Sequence, residues 1–403
     1  MEANILEWLS LLVRWIHVIF GIMWIGSSIF FNWLDSSFEP LKEAEEGVVG
    51  EVWMVHGGGF YHVKKKYLKA HEMPKNLHWF KWEAGFTFIS GITLLTIVYY
   101  LSGGAFLIDP EVSSITSGEA TALGIGTLIT GWLVYDTIWN SPLAKKPLFT
   151  ATACFLMAIG VAYGLSQVLN ARAAYIHVGA MIGTIMAANV WIRILPGQTK
   201  MLKAVKEGKP VDPAPGLRAK MRSKHNNYMT YPVIFIMISN HFPITYQDNL
   251  NWLVLAVLIV ASAIVKHFLN ISEEFKYWAP KSAVVIVVAL MALLFITNKP
   301  KNTEASIIKT DEKIAQKVKF ADVKKIINQR CIACHSAKPT DNVFVIAPLG
   351  LKLDNDQVIK LNSKKIKDRV VVLKNMPFTN KTKITQEERD TIGKWIDEGS
   401  NLE

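Results

Sequence analysis

Cysteine is scarce in this chain: three residues in 403, of which only Cys331 and Cys334 lie close together. A four-ligand zinc site would need a second pair of Cys or His nearby, yet Cys154 sits far upstream in an apolar run and His335 is the single histidine after His267. Methionine is equally thin toward the C-terminus, where Met376 is the only one after Met291. No internal repeat is visible, which excludes a solenoid or array. The first apolar run lacks a basic start, carries Glu2 and Glu7 and has Arg14 inside it. It does not read as a cleaved signal peptide and is expected to be retained.

What is present begins with Cys331-Ile-Ala-Cys334-His335, the sequence form of a covalently attached c-type haem. The two thiols bond the haem vinyl groups and the adjoining imidazole is placed to ligate iron. A low-spin carrier closes the other face with Met sulfur or a second His. Met376 is the expected sixth ligand, in Lys374-Asn375-Met376-Pro377, where the proline disfavours helix and leaves an extended loop. Phe320, Val323, Ile326 and Ile327 recur at helical spacing before the motif, and Ile392, Trp395 and Ile396 follow Glu387-Glu388-Arg389. Residues 310–403 therefore resemble a small cytochrome c domain whose first and last helices cross beside the haem.

Upstream the composition changes. Apolar runs centred near residues 20, 92, 130, 158, 183, 234, 260 and 289 are each long enough to cross a hydrocarbon core of about 30 Å. The expected fold class is all-α: a polytopic eight-helix membrane domain over 1–298, a linker over 299–309 and a small α-helical cytochrome c domain over 310–403. The connections at 34–81, 140–148, 196–225 and 271–281 hold nineteen Lys and Arg, whereas those at 102–119, 167–173 and 242–249 hold Arg172 alone. Basic loops stay in the cytoplasm. With an even number of spans both termini then face the periplasm, where haem is attached in bacteria. The formal charge of +11 reflects these loops and a lysine-rich haem domain, so it does not argue for nucleic acid as a partner.

Ionisable groups within spans are costly and point to sites. Arg14, His17, Gly21 and Ser28 share one face of the first span; His177, Met181, Thr184 and Ala188 form a comparable face of the fifth. His17 and His177 could be paired axial ligands of a membrane haem b; the alternative is that each histidine hydrogen-bonds a neighbouring helix. His241 is a further histidine at an outer helix end. At the cytoplasmic ends Asp35, Trp79, Lys81, Trp82, Glu83, Tyr135, Asp136, Trp139 and the run Lys224-His225-Asn226-Asn227-Tyr228 converge. That mixture of aromatic faces, amides and cations suits a planar anion, with Asp136 and His225 as the expected catalytic pair. The segment His56-Gly57-Gly58-Gly59-Phe60-Tyr61-His62 reads as a loop able to close over a ligand.

Arg14-Trp15-Ile16-His17 with Trp24-Ile25-Gly26, the His56–Tyr61 segment, His78-Trp79-Phe80-Lys81-Trp82-Glu83-Ala84, and Ser223–Tyr228 through Ser239-Asn240-His241-Phe242-Pro243 together resemble the bacterial membrane-bound urate oxidases. That family joins a multi-span membrane domain to a C-terminal cytochrome c. The resemblance implies oxidation of urate toward 5-hydroxyisourate at the inner membrane, with electrons leaving through haem c to a soluble cytochrome or a terminal oxidase. The residues alone leave two rivals open: a quinol dehydrogenase or other respiratory electron-transfer subunit, and a haem-bearing sensor or transporter without turnover. A substrate site in the cytoplasm and a haem outside would also need a relay cofactor between them, whereas a substrate site near His17, His177 and His241 would not.

Overall fold

The computed structural model describes residues 2–297 and 318–402, apart from 103, 105, 110, 111, 247, 345, 346, 349 and 350. The expected linker at 299–309 lies outside the described residues.

Helices α1 (Glu2–Ser36), α2 (Trp82–Leu95), α3 (Ser117–Asn140), α4 (Pro147–Ser166), α5 (Ala171–Ala188), α6 (Leu195–Lys206), α7 (Ala214–Ser239), α8 (Asn251–Asn270) and α9 (Trp278–Thr297) build the first unit. Short connections make most neighbours antiparallel, so Arg14, Tyr99, Arg172 and Asn240 gather at one end and Asp35, Asp136, Asn189 and His225 at the other. α2 runs on through a π-helical turn, Thr96–Tyr100, and α5 passes through another, Asn189–Ile194, into α6. Among the described residues, six helices are long and apolar enough to cross a membrane: Trp8–Ser36, Trp82–Tyr100, Pro147–Ser166, Ala171–Lys206, Asn251–Asn270 and Trp278–Thr297. α3 and α7, with 24 and 26 residues, have the length, but neither is among the six apolar enough. For α7 the reason is its polar first half, Arg218 to Tyr228.

Helix α5 is the hub. From Ala173 to Ala187 nearly every side chain is buried, as expected of a helix whose polar positions are few on every face. The outer helices are inverted in character: Trp8 and Ile22 on α1 and Val284, Val287, Leu290 and Phe295 on α9 are exposed. Helices clothed in apolar side chains satisfy their backbone groups internally and suit a lipid exterior.

Two expectations need correcting. The region 34–81 is not wholly loop, nor the chain purely helical: β1 (Val48–His56) and β2 (Gly59–Lys66) form an antiparallel hairpin. Gly57 and Gly58 carry φ of +59° and +80°, the left-handed pair that a two-residue hairpin turn requires. Trp53 stacks on its cross-strand partner His62 at 4.1 Å, and His62 Nε2 lies 2.6 Å from Glu51. The basic stretch 196–225 likewise contains α6 and the start of α7, with Pro196 and Pro215 in the first turns, where proline is tolerated.

Residues 318–402 pack around a second core. α10 (Phe320–Arg330) meets α13 (Gln386–Asp397) through Phe320 and Trp395, 5.4 Å apart, with Val323, Ile327 and Ile392 buried between them. The short helices α11 (Asp356–Leu361) and α12 (Ser363–Ile366) close the core with Ile359 and Ile366. Arg330 grips Glu388 through Nε (3.0 and 3.1 Å) and Nη2 (2.9 Å), and its Nη1 donates to the Thr382 carbonyl at 2.6 Å. This unit sits at the Arg172 end of the bundle: Phe106 contacts Phe378 at 5.1 Å and Phe344 at 5.7 Å between ring centroids.

Burial alone would raise the Glu388 carboxyl; hydrogen bonds from Arg330 and the Thr385 amide outweigh it and hold the group below the usual range. A carboxylate so depressed stabilises the fold above its unfolded pKa and loses that contribution as pH falls through the folded value. Arg330→Ala is expected to cost about 2 kcal/mol at neutral pH, read as faster amide exchange in α13, with the difference from wild type shrinking in acid. Equal exchange at neutral pH would show that the pair does not hold α13.

Candidate functional site

The Asp136 end contains a buried polar cluster. Tyr135 and Asp136 occupy the last turns of α3 but point to different partners. The Tyr135 hydroxyl lies 2.7 Å from His225 Nδ1 and accepts from Asn189 Nδ2 at 3.1 Å. Asn189 Nδ2 also donates to Asn226 Oδ1 at 2.9 Å, and Asn226 Nδ2 donates to the Met186 carbonyl at 2.9 Å. Asp136 is shared by two guanidiniums: Arg193, through Nε at 2.9 Å and also through Nη2, and Arg222, through Nη2 at 3.0 Å. The Arg222 guanidinium lies over the Tyr135 ring, 5.0 Å from its centroid, and Trp139 lies 4.1 Å from the His225 ring. The π-helical turn Asn189–Ile194 presents both Asn189 and Arg193 to this cluster, a distortion of the kind that recurs at functional sites.

The electrostatics are unbalanced, one carboxylate against two guanidiniums. Arg222 is only 2% exposed. Its Nη1, the Asn189 Oδ1 and both amide atoms of the neighbouring Asn227 are buried without a hydrogen-bond partner among the described residues. Each such atom costs about 1–3 kcal/mol. A cation, unfilled donors and acceptors, and an aromatic face are what a planar anionic heterocycle needs.

The structure brings together Tyr135, Asp136, Trp139, His225 and Asn226, as the sequence grouped them, and sends the others elsewhere. Asp35 pairs with Lys65 and Lys220, the latter at 2.6 Å. Trp82 packs on Trp191 at 5.3 Å, Lys81 lies over the Trp79 and Trp82 rings, and Tyr228 bonds His267 at 2.7 Å. Sequence reasoning missed Asn189, Arg193 and Arg222. Arg193 and Asn189 are polar residues near the end of an apolar run, a signal that was available; Arg222 looked like one more basic loop residue.

His17 and His177 occupy different surroundings. His17 Nδ1 lies 3.0 Å from the Thr87 carbonyl and 3.1 Å from Ser90 Oγ, and the ring lines a crevice between α1, α2, α5 and α7. His177 is fully buried, with Nδ1 2.8 Å from the Ala173 carbonyl and Nε2 3.0 Å from the Tyr100 hydroxyl. It does not line that crevice; His241 does, at the mouth. Gly124 makes room for the Tyr100–His177 pair, since a Cβ there would meet Nε2 at 2.6 Å and the hydroxyl at 2.7 Å.

In the C-terminal unit Cys331 caps α10, and the chain turns so that the Cys334 and His335 amides both donate to the Cys331 carbonyl, at 3.2 and 2.8 Å. Both thiols are free. Burial, then the neighbouring Cys334, pushes the Cys331 thiol up to about 12; burial, then Asp341, pushes Cys334 up to about 11. His335 is lowered by burial, so its imidazole is neutral near pH 7. Its Nδ1 lies 3.1 Å from the Leu351 carbonyl, which leaves Nε2 for a metal. Met376 packs against the same core as Cys331, and its carbonyl accepts from Arg389 Nη1 at 2.8 Å. No group of three or more His, Cys, Asp or Glu arranged to hold a metal ion occurs among the described residues.

A bundle of helices, six of them long and apolar enough to cross a membrane, enclosing an arginine-rich polar cluster defines the class, a helical protein of membrane-spanning character. Residues 3–298 match the family described as urate oxidase N-terminal, and the chain belongs to that family, which makes it a urate-related oxidoreductase. No curated protein and no solved structure matches it.

Gly124→Ala is expected to force Tyr100 and His177 apart and to destabilise the bundle by about 1–3 kcal/mol. A lowered unfolding temperature in detergent would register it; an unchanged one would show that the pair relaxes freely.

Proposed function

We propose that this chain is a membrane-bound urate oxidase that passes electrons to a covalently bound haem c. The observation that carries the reading is Arg222, a buried guanidinium with an unfilled N–H beside Asp136, Tyr135 and His225, in a chain of the urate oxidase family. Urate and one water become 5-hydroxyisourate with release of two protons and two electrons. Arg222 and Arg193 would hold the urate monoanion, Tyr135 and Trp139 would flank its plane, and the Asn189 and Asn227 amides would read its edges. His225, with Nδ1 bonded to Tyr135, keeps Nε2 to accept a proton from the attacking water, and Asp136 fixes both arginines.

The C-terminal residues fit a c-type haem: Cys331 and Cys334 are free thiols on one turn, His335 has its Nδ1 anchored, and Met376 is packed on the same core. Cys331 and Cys334 would attach it, and His335 and Met376 would hold its iron. Bound there, it supplies a one-electron acceptor. The nineteen-to-one loop asymmetry supports basic connections on the cytoplasmic side of the bacterial inner membrane; with α3 and α7 added to the six apolar helices, eight spans would leave both termini and the haem c domain in the periplasm. A soluble cytochrome or a terminal oxidase would take the electrons onward.

Urate added anaerobically to the purified protein is expected to reduce the c-type haem. Arg222→Gln or Asp136→Asn should slow that reduction about 10–100-fold, as loss of a charge-assisted hydrogen bond implies, with covalent haem content unchanged. Met376→Ala should abolish the sulfur-to-iron band and lower the potential while the haem stays attached. Reduction by a quinol but not by urate would favour the quinol dehydrogenase reading.

A further inference from the structure

The crevice that His17 lines is not part of the Asp136 cluster, yet it reaches toward it. It has a volume of about 360 Å³ and extends along α5 from Arg172 to Met186, roughly 20 Å at 1.5 Å per residue. Its walls are apolar and flat where glycine replaces a side chain: at Gly21 of α1 and Gly183 of α5 an added Cβ would meet nothing within 4 Å. Its mouth is cationic. Arg14 and Arg172 both line it, Arg172 with its Nε on Asn240 Oδ1 at 2.9 Å, and neither has a carboxylate partner among the described residues. Between mouth and floor, His17 has its Nδ1 on a carbonyl, which fixes that nitrogen as the donor and leaves Nε2 as a lone pair without a hydrogen-bond partner among the described residues. This is how metal-ligating histidines are held, and His335 is held the same way.

We propose that this crevice seats a second, non-covalent haem of the b type, with His17 Nε2 as an iron ligand, the macrocycle lying between Gly21 and Gly183, and its two carboxylates turned to Arg14 and Arg172. A quinone offers the cationic mouth no pair of anions, and its carbonyl oxygens, being acceptors, cannot donate to the Nε2 lone pair. The expected pairing of His17 with His177 is not built into this geometry, because His177 Nε2 is engaged by Tyr100 outside the crevice. The position of the crevice accounts for its use. At the floor, Met186 accepts from Asn226 of the polar cluster. At the mouth, Arg172 lies over Phe106, 5.8 Å from the centroid, and Phe106 touches Phe378, two residues beyond Met376. A one-electron relay there would connect two centres otherwise separated by most of a hydrocarbon core about 30 Å thick. That role rests on the urate reading; occupancy of the crevice does not.

The test is haem content of the full-length protein in detergent, by pyridine haemochrome before and after acid–acetone extraction. Wild type is expected to hold one covalent haem and one extractable protohaem per chain. His17→Ala and Gly183→Leu should each lose the extractable haem and keep the covalent one; the second fills the crevice without removing any contact. Arg14→Gln with Arg172→Gln should lower the midpoint potential of the extractable haem, because two cations leave its carboxylates. A wild-type chain carrying only covalent haem, or a co-purifying quinone in its place, overturns the proposal, as does extractable haem retained in both His17→Ala and Gly183→Leu. A protein with both haems that urate fails to reduce would instead sink the urate reading and leave this one standing.

Discussion

The buried Arg222 guanidinium is the constraint around which the Asp136 end is arranged. A charge removed from water must be answered by an opposite charge, hydrogen bonds or an aromatic face, and Arg222 draws on Asp136 and Tyr135 from α3. Asp136 in turn takes Arg193 from the π-helical turn after α5, and Tyr135 takes Asn189 from that turn and His225 from α7. Three helices are thus registered by one cation, and the helical geometry of the α5 continuation is widened where it has to reach them.

Much of the architecture could be read from residue order because lipid simplifies the problem. Long apolar runs have few alternatives to helix, and the helices stand where those runs lie. The same logic found Tyr135, Asp136, Trp139 and His225 as a group, since each is costly where it stands. It did not find the β-hairpin, although Gly57-Gly58 between two β-prone runs was a turn signal; the histidines and glycines there were read as chemistry instead of as backbone geometry. It also could not see π-helical turns, whose one-residue phase shift is hidden in runs that are apolar on nearly every face. Arg193 and Arg222 went unassigned for a related reason: a basic residue at a helix end looks the same whether it faces water or a buried carboxylate.

In the C-terminal unit the legible part was local. Cys331, Cys334 and His335 are adjacent in sequence, and the fold only has to turn once to present them. Met376 is different, because it comes from a segment far along the chain and is set by long-range contacts, Arg389 on its carbonyl and the core beneath it. Phe106, which brings this unit to the bundle, lies in an unremarkable loop, and nothing in its neighbourhood distinguishes it from any surface phenylalanine.

Lys64-Lys65-Lys66 shows how one group of charges can act at two moments. On the proposed topology, three consecutive cations would help decide, in the unfolded, inserting chain, which side of the membrane a loop remains on. In the folded protein each has an acidic partner: Lys64 with Glu45, Lys65 with Asp35, and Lys66 with Glu72 at 2.7 Å. Asp35 also receives Lys220 from α7, so the hairpin, the end of α1 and the start of α7 are tied by these charges. The mature surface there is less positive than a count of lysines implies. Its attraction for anionic headgroups should be correspondingly weak, while its rigidity would loosen as salt screens the pairs.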